Sequence, residues 1–311
     1  MKIAILQMML SKGIGEVALR HFCETASRRG CHVPSDGFVD SQVLCEEYNL
    51  SEVLAKRVVD QLGAARQLFA RLQEGHIDMT WIGHPAFPKH ALMLLGRKMP
   101  PVLFLKGNCT LLEFPGVGFC GSRKASERGL SITELCANQV VNRGYSVVSG
   151  YATGVDERAH CAAMRSNGRT IMVLAEGILH REEKSSVQMF ENAVNHLYVS
   201  QFPPNCPWFA HNAMRRNELI LGLSKAMIVI EAGDRGGSLA AGESSLAYKE
   251  PLFVIDYKNV PPTAVGNKAL LKKGAHPIRS NMRGTPSLDF LFQQMETEQE
   301  CNTEIQLQLS L

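Results

Sequence analysis

The spacing of apolar residues divides the chain into three parts. From residue 1 to 75, apolar side chains recur every three or four positions, as at Leu54, Val58 and Leu62, which predicts a small helical domain. From 76 to 280, short apolar runs alternate with amphipathic segments. From 281 to 311 the chain is polar, which predicts a polar C-terminal tail. Gln293 to Glu304 is rich in glutamate and glutamine and is either a solvated helix or a disordered segment.

The apolar runs of the central part predict buried strands at Val102–Leu105, Val117–Cys120, Ser146–Ser149, Thr170–Leu174, Leu197–Ser200, Ala226–Ile230 and Leu252–Ile255. Helices are predicted at Leu130–Asn142, Asp156–Arg165, Ser186–His196, Ala213–Leu223 and Ser238–Tyr248. Strands that alternate with helices in this way usually form a parallel sheet with helices on both faces. The pattern therefore predicts an α/β fold, with a Rossmann-like, doubly wound, mostly parallel sheet after the helical domain.

Glycine-rich turns follow three of these predicted strands. Ligands of an open parallel sheet bind beyond the carboxyl ends of its strands, and backbone N–H groups at the helix starts attract anions. We therefore predict a phosphate-binding site, although glycines that only allow tight packing of helix on strand are the alternative. The candidate residues are Gly121, Ser122, Arg123 and Ser126, then Gly150, Thr153, Gly154 and Asp156, and finally Gly236, Gly237 and Ser238. The first two turns lack the G-x-G-x-x-G pattern of dinucleotide sites, and we predict no cofactor.

Arg216 and Asn217 are further candidates, on the predicted helix 213–223. Arg215 and Arg216 cannot share one helix face, so at most one of them reaches the site. Asn217 could donate a hydrogen bond to a sugar or a base. His160 could be a base or a structural residue, and we predict no catalytic residue. The turn at residues 13–15 resembles the hairpin of helix-hairpin-helix elements, and an ordinary turn at the start of a helix is the alternative that we favour.

Composition adds few constraints. The formal net charge of +3 permits a polyanionic partner without requiring one. The nine cysteines include no C-x-x-C pair, which predicts reduced thiols in a cytoplasmic protein and no metal site. No cleavage pattern of a signal peptide is visible, and no apolar run reaches the roughly 20 residues of a membrane helix, so we predict no membrane association.

Seven blocks in a fixed order resemble the DNA-processing protein A family, which is also called DprA or Smf. The resemblance extends from about Trp81 to Ile278. The blocks are the Pro-Pro strand 100–108, the Gly-Ser-Arg turn 121–123, the Val-Ser-Gly segment 148–160, the strand 168–177, Arg216-Asn217 with Gly222-Leu223-Ser224, Glu231-Ala232 with Gly237-Ser238-Leu239, and the closing pairs at 266–267 and 274–275.

This resemblance implies a protein that is not an enzyme, binds single-stranded DNA across the Rossmann-like pocket, forms a homodimer, and helps to load a RecA-type recombinase during natural transformation. The chain departs from the family pattern at several places. Glu182-Glu183 replaces a Tyr-Pro pair and Ala213-Met214 replaces Phe-Pro. We also expect a member without the C-terminal winged-helix domain that some members carry. Glu218 stands where a second arginine is usual, and we expect its negative charge to weaken the binding of a polyanion.

A nucleotide sensor, or an N-glycosidic hydrolase that acts on nucleotide monophosphates, is the alternative function. Related Rossmann-like hydrolases carry a Pro-Gly-Gly-x-Gly-Thr-x-x-Glu loop. Residues 235–243 keep the paired glycines and place Glu243 in register, but they lack the proline, the third glycine and the threonine. The motif agreement favours a DNA-binding protein over a hydrolase.

Overall fold

The computed structural model describes residues 1–29, 33–181, 195–282 and 284–297. Most of the helix that the sequence predicts at 186–196 lies outside these residues, as does the Glu182-Glu183 pair. Within the described part, His196 is the first residue of a strand. None of the described helices combines the length and the apolar character that a membrane-spanning helix requires.

The N-terminal part is helical, as the apolar spacing predicts. Its helices are α1 (Lys2–Leu10), α2 (Glu16–Arg29), α3 (Ser41–Tyr48), α4 (Glu52–Asp60) and α5 (Leu62–Glu74). Phe22, Phe38 and Tyr48 form an aromatic centre, with ring centroids 4.8–5.9 Å apart. The buried Gln7 amide donates to the carbonyl oxygens of Phe38 and Val58, and so satisfies buried backbone groups between the helices. The boundary at residue 75 stays a prediction, because apolar residues of these helices and of the sheet share one hydrophobic cluster.

The rest of the described chain is built on a nine-stranded sheet, and the predicted α/β fold class is confirmed. Its strands are β1 (Ile77–Trp81), β2 (Val102–Gly107), β3 (Gly116–Cys120), β4 (Ser146–Gly150), β5 (Thr170–Val173), β6 (His196–Ser200), β7 (Ala226–Val229), β8 (Leu252–Ile255) and β9 (His276–Ile278). The spatial order is β1-β2-β6-β5-β4-β3-β7-β8-β9. The strands from β3 onward pair in parallel, whereas β1 with β2 and β2 with β6 pair antiparallel.

Helices cover the sheet on both faces. They are α6 (Lys89–Leu95), α7 (Glu127–Asn142), α8 (Val155–Arg165), α9 (Ala210–Gly222), α10 (Gly237–Ala247) and α11 (Asn267–Lys272), and residues 289–297 form α12. The sequence predicts α7, α8, α9 and α10, but each predicted start lies one to three residues after the observed start of the helix. The order of the strands reverses between β3 and β7, and such a switch point opens a crevice at the carboxyl ends of the two strands.

Part of the C-terminal segment packs against the rest of the chain. Leu291 and Phe292 of α12 are buried, and the Phe292 ring stacks on Tyr145 with centroids 5.9 Å apart. Glu296 pairs with Arg143 at 3.3 Å. A few apolar side chains at helical spacing thus dock residues 288–297, although the composition of the segment is mostly polar, and the predicted boundary of the tail at residue 281 stays a prediction. Residues 298–311 lie outside the described part.

Candidate functional site

Two of the predicted glycine turns lie against each other at the switch point. Gly154 has φ of +82°, and a Cβ atom there would lie 2.5 Å from the Ser122 carbonyl oxygen. A side chain at this position would push the turn after β4 away from the turn after β3. Gly121 is similarly tight, since an added Cβ would lie 2.5 Å from Val155. The glycines therefore allow close packing, and in doing so they bring the two turns to one edge of the sheet.

Two adjoining cavities, of about 410 and 300 Å³, open at this edge. We call them together the switch-point cleft, because both are lined by Arg123, Ala152, Trp208 and Arg216. Of the residues that the sequence predicts, those that line the cleft are Gly121, Arg123, Thr153, Asp156, Arg216, Asn217, Gly237 and Ser238. Gly150 lies beneath the Arg216 guanidinium, and Gly154 packs against the Ser122 backbone. The site therefore gathers residues from all three turns and from α9.

Arg216 supplies the positive charge at the base of the cleft. The side chain is buried, and its guanidinium lies directly over Gly150, where an added Cβ atom would be 1.6 Å from Nη1. Its Nη1 is 3.6 Å from Oδ2 of the buried Asp156 carboxylate. The Nε atom is buried and has no hydrogen-bond partner among the described residues. A buried guanidinium with an unused N–H group beside a cavity is well suited to bind an oxyanion of a ligand.

Arg123 and Trp208 form the rim, and Phe209 follows Trp208 in the chain. The Arg123 guanidinium lies 5.5 Å from the centroid of the Trp208 ring, and both residues line both cavities. Trp208 and Phe209 keep 47% and 44% of their surface exposed. Phe209 stacks on His211 with ring planes 15° apart. The rim thus combines a cation with flat apolar surfaces, which is the combination that binds phosphates and unstacked bases together.

The turn before α10 forms the third wall. Gly236 has φ of +106°, which favours glycine, and Gly237 and Ser238 begin the helix. The Asn217 amide donates to the Gly237 carbonyl oxygen at 3.3 Å. This hydrogen bond fastens α9 to the turn, so Asn217 has a structural contact that its predicted role as a donor to a sugar or a base did not include.

Ser126 is not among the described residues that line the cleft, and its contact with phosphate stays a prediction. It caps α7, since its hydroxyl accepts from the Gly129 N–H at 3.0 Å and donates to the Glu231 carboxylate. Its own N–H donates to Glu231 at 2.9 Å. Glu231 is completely buried and also accepts from the hydroxyls of Tyr257 and Thr263. Burial, together with this carboxylate, raises the pKa of Tyr257, which therefore remains a hydrogen-bond donor.

The two neighbours of the Arg216-Asn217 pair point away from the cleft. Arg215 forms an ion pair with Glu16 at 2.6 Å, as expected for a residue on another helix face. Glu218 pairs with Lys98 at 3.1 Å. The charge of Glu218 therefore lies outside the cleft beside a cation, and the weakening of polyanion binding that we expect from it stays a prediction.

His160 and Glu243, the two residues considered for catalysis, lie away from the cavities. The ring nitrogens of the buried His160 are 2.7 Å from the Thr170 hydroxyl and 2.6 Å from the Gly150 carbonyl oxygen, so the ring links β4, β5 and α8. Glu243 pairs with Lys273 on the surface. The acidic residue that does line the larger cavity is Glu176, which the sequence marks only by its position after the strand at 170–174.

Cys120 lines the smaller cavity, and burial together with the Asp156 carboxylate raises the pKa of its thiol to about 12. We therefore expect Cys120 to resist iodoacetamide at pH 8 in the folded protein, because the thiolate is the reactive form. Brief labelling followed by peptide mass mapping tests this, with the urea-unfolded chain as the control in which Cys120 reacts. Rapid labelling of the folded protein would contradict a neutral thiol at this position.

Several known proteins are similar to the part of the chain that forms the sheet and the cleft. The family DNA recombination-mediator protein A matches residues 78–285. "DNA processing protein DprA" of Bacillus subtilis is 31% identical over 58% of this chain and 62% of its own length. "Protein Smf" of Escherichia coli is 34% identical over 57% of this chain, and the match spans 48% of that protein. These matches therefore leave large parts of both relatives uncovered.

Two solved structures are similar. DNA processing protein A of Streptococcus pneumoniae has a TM-score of 0.72 and 24% identity, and the match covers 89% of this chain and 94% of that one. It shares the fold. A structure described as showing the single-stranded DNA binding mode of DNA processing protein A from Helicobacter pylori has a TM-score of 0.57 and 26% identity, and covers 65% of this chain and 92% of that one.

Proposed function

Because the chain belongs to the DNA recombination-mediator protein A family, we propose that its switch-point cleft binds single-stranded DNA. The observation that carries the proposal is the convergence of Arg123, Arg216 and the Gly237 turn on one cleft. All three lie within the residues that match the family. The Helicobacter pylori relative, whose structure concerns its binding of single-stranded DNA, supports the same ligand.

The chemistry of the cleft favours a single strand over a duplex. Phosphate binding needs cations and N–H groups, which Arg216 and the turns supply. The exposed rings of Trp208 and Phe209 offer surfaces on which bases can stack, and bases are accessible to such rings only when they are unpaired. We infer that the strand lies with phosphates toward Arg216 and with bases toward the aromatic rim.

We propose a binding role, not an enzymatic one, for this cleft. The glutamate that would correspond to that of the nucleotide hydrolases, Glu243, pairs with Lys273 and does not line either cavity. The high pKa of Cys120 disfavours a thiolate nucleophile at pH 7. Incubation with nucleotide monophosphates tests the alternative, and release of free base that Glu176→Gln abolishes would establish it.

At the level of the whole protein, we propose a cytoplasmic homodimer that delivers single-stranded DNA to a RecA-type recombinase during DNA uptake and recombination. The names of the relatives, which describe DNA processing, support a role of this kind. A strand held in an open cleft by its phosphates remains accessible to a second protein. Sedimentation with and without an oligonucleotide, and a strand-exchange assay with a purified recombinase, test these two parts separately.

Substitutions of different cleft residues should have different effects in a binding titration. We expect Arg123→Ala to weaken the binding of an oligothymidylate and to make the slope of log K against log salt shallower by about 0.7, which corresponds to one phosphate contact on a single strand. We expect Trp208→Ala to lower the affinity by about 1–3 kcal/mol with nearly the same slope, because stacking involves no charge. Fluorescence anisotropy at several salt concentrations measures both quantities.

Lys56→Ala is the matched control, since it removes one exposed cation outside the cleft and should leave affinity and slope almost unchanged. The proposal fails if the wild-type protein does not bind the oligothymidylate at low salt. It also fails if Arg123→Ala and Trp208→Ala both titrate like the wild type.

A further inference from the structure

Charged side chains line a separate cavity on the opposite side of α9 from the switch-point cleft. Arg215 and Glu218 stand beside Arg216 and Asn217 in the chain, but the turn of the helix directs them toward α2. The cavity has a volume of about 330 Å³. We call it the α2–α9 groove, and its charged residues are Glu16, Arg20, Arg97, Lys98, Arg215 and Glu218.

We propose that the α2–α9 groove is a second contact for the DNA strand, so that a strand leaving the switch-point cleft continues over α9 toward the helical N-terminal part. This inference rests on the proposed function of the cleft. One helix carries both surfaces, and a helix with its side chains is only about 10–12 Å across. A few nucleotides are therefore enough to connect them.

The balance of charge in the groove suits a polyanion. Four cations face two carboxylates across the cavity, and one of these cations, Arg20, also pairs with Glu24 on α2 at 3.6 Å. Arg20 donates to the carbonyl oxygens of Arg97 and Met99, which fastens the 3₁₀ turn Gly96–Lys98 to α2. This turn holds two consecutive cations at the surface. In the described part of the chain, Arg97 forms no ion pair, so its charge is available to a phosphate.

The two carboxylates do not prevent this contact. The pairs Lys98–Glu218 and Arg215–Glu16 are both largely exposed, with 60% of the Lys98 side chain and 53% of the Arg215 side chain accessible. Exposed ion pairs contribute at most about 1 kcal/mol, so phosphate groups of a strand can replace the carboxylates. Without DNA, the pairs keep the long side chains ordered along the groove.

The length of the strand provides the test. We expect Arg97→Ala/Lys98→Ala to leave the binding of an oligothymidylate of about four nucleotides unchanged, since this length fits within the cleft. For a strand of about twenty nucleotides, the double variant should show a slope of log K against log salt that is shallower by about 1.4. The ratio of wild-type to variant affinity for this strand should then fall about sevenfold between about 50 and 200 mM salt.

Lys56→Ala/Arg71→Ala removes the same charge from exposed positions of α4 and α5 outside the groove, and it should match the wild type on both strands. Glu218→Gln should tighten the binding of the long strand about twofold to threefold and leave the short strand unaffected, because it frees Lys98.

The inference is overturned if the Arg97→Ala/Lys98→Ala variant binds the long strand with the wild-type slope, or if it loses affinity equally for both lengths. Binding of the short strand by the wild type shows in the same experiment that the cleft itself functions. If the wild-type protein binds neither strand, the proposed function fails together with this inference.

Discussion

Arg216→Ala should abolish most of the binding of single-stranded DNA and also destabilise the fold. The variant removes a cation that lines both cavities, and truncating one member of a buried charge pair typically costs 2–5 kcal/mol in binding, so we expect about a 100-fold loss of affinity. It also removes the arginine from the buried Asp156 carboxylate, which should lower the free energy of unfolding by about 3 kcal/mol. Anisotropy with a strand of about four nucleotides and urea denaturation measure the two effects.

Two further variants separate binding from stability. Arg216→Ala/Asp156→Ala should recover part of the lost stability, because no carboxylate is left without its cation, but it should not recover binding. Arg215→Ala removes the adjacent arginine outside the cleft and should bind the short strand like the wild type. Recovery of binding in the double variant would mean that Arg216 acts only through the fold.

Glu231→Ala is expected to cause the largest loss of stability. Its buried carboxylate accepts four hydrogen bonds, two from Ser126 and one each from Tyr257 and Thr263. Hydrogen bonds to a charged group contribute about 1.5–3 kcal/mol each, and their loss leaves several buried donors without an acceptor. We therefore expect the free energy of unfolding to fall by at least about 4 kcal/mol. For a domain of this size the thermal midpoint should fall by roughly 10 °C, as measured by calorimetry.

Glu127→Ala is the control for this prediction, because it removes an exposed carboxylate from the same helix start and should change stability by less than about 0.5 kcal/mol. Tyr257→Phe removes one of the four donors and should cost about 1–3 kcal/mol. A Glu231→Ala variant as stable as the wild type would show that this network contributes little.

Much of the α/β part could be predicted because its signals are local. Buried parallel strands appear as short apolar runs, and the glycine turns follow from the residues that end them. The opposite orientation of Arg215 and Arg216 also follows from the geometry of one helix. The antiparallel pairing of β1 and β2 could not be predicted, because neither strand carries a local signal for its direction in the sheet.

The features that the sequence does not indicate are contacts between distant residues. Ser126 has the sequence of a phosphate-binding turn, but the partner that takes its hydroxyl is 105 positions away. Nothing near Glu218 in the chain indicates that Lys98 will neutralise it. In the C-terminal segment, four buried apolar side chains outweigh a polar composition, namely Leu288, Leu291, Phe292 and Met295.

The carboxylate of Glu231 also determines where a ligand can exploit a helix dipole. It occupies the positive end of α7, and Asp156 lies in the first turn of α8, so the protein itself already compensates both of these helix ends. The first turn of α10 contains no acidic residue. Of the three turns that look equivalent in the sequence, only the one at Gly236–Ser238 therefore leads into a helix whose start carries no carboxylate from the described residues named here. The register of a bound strand should thus be fixed at this single point, with one phosphate seated there and its neighbours placed by arginine.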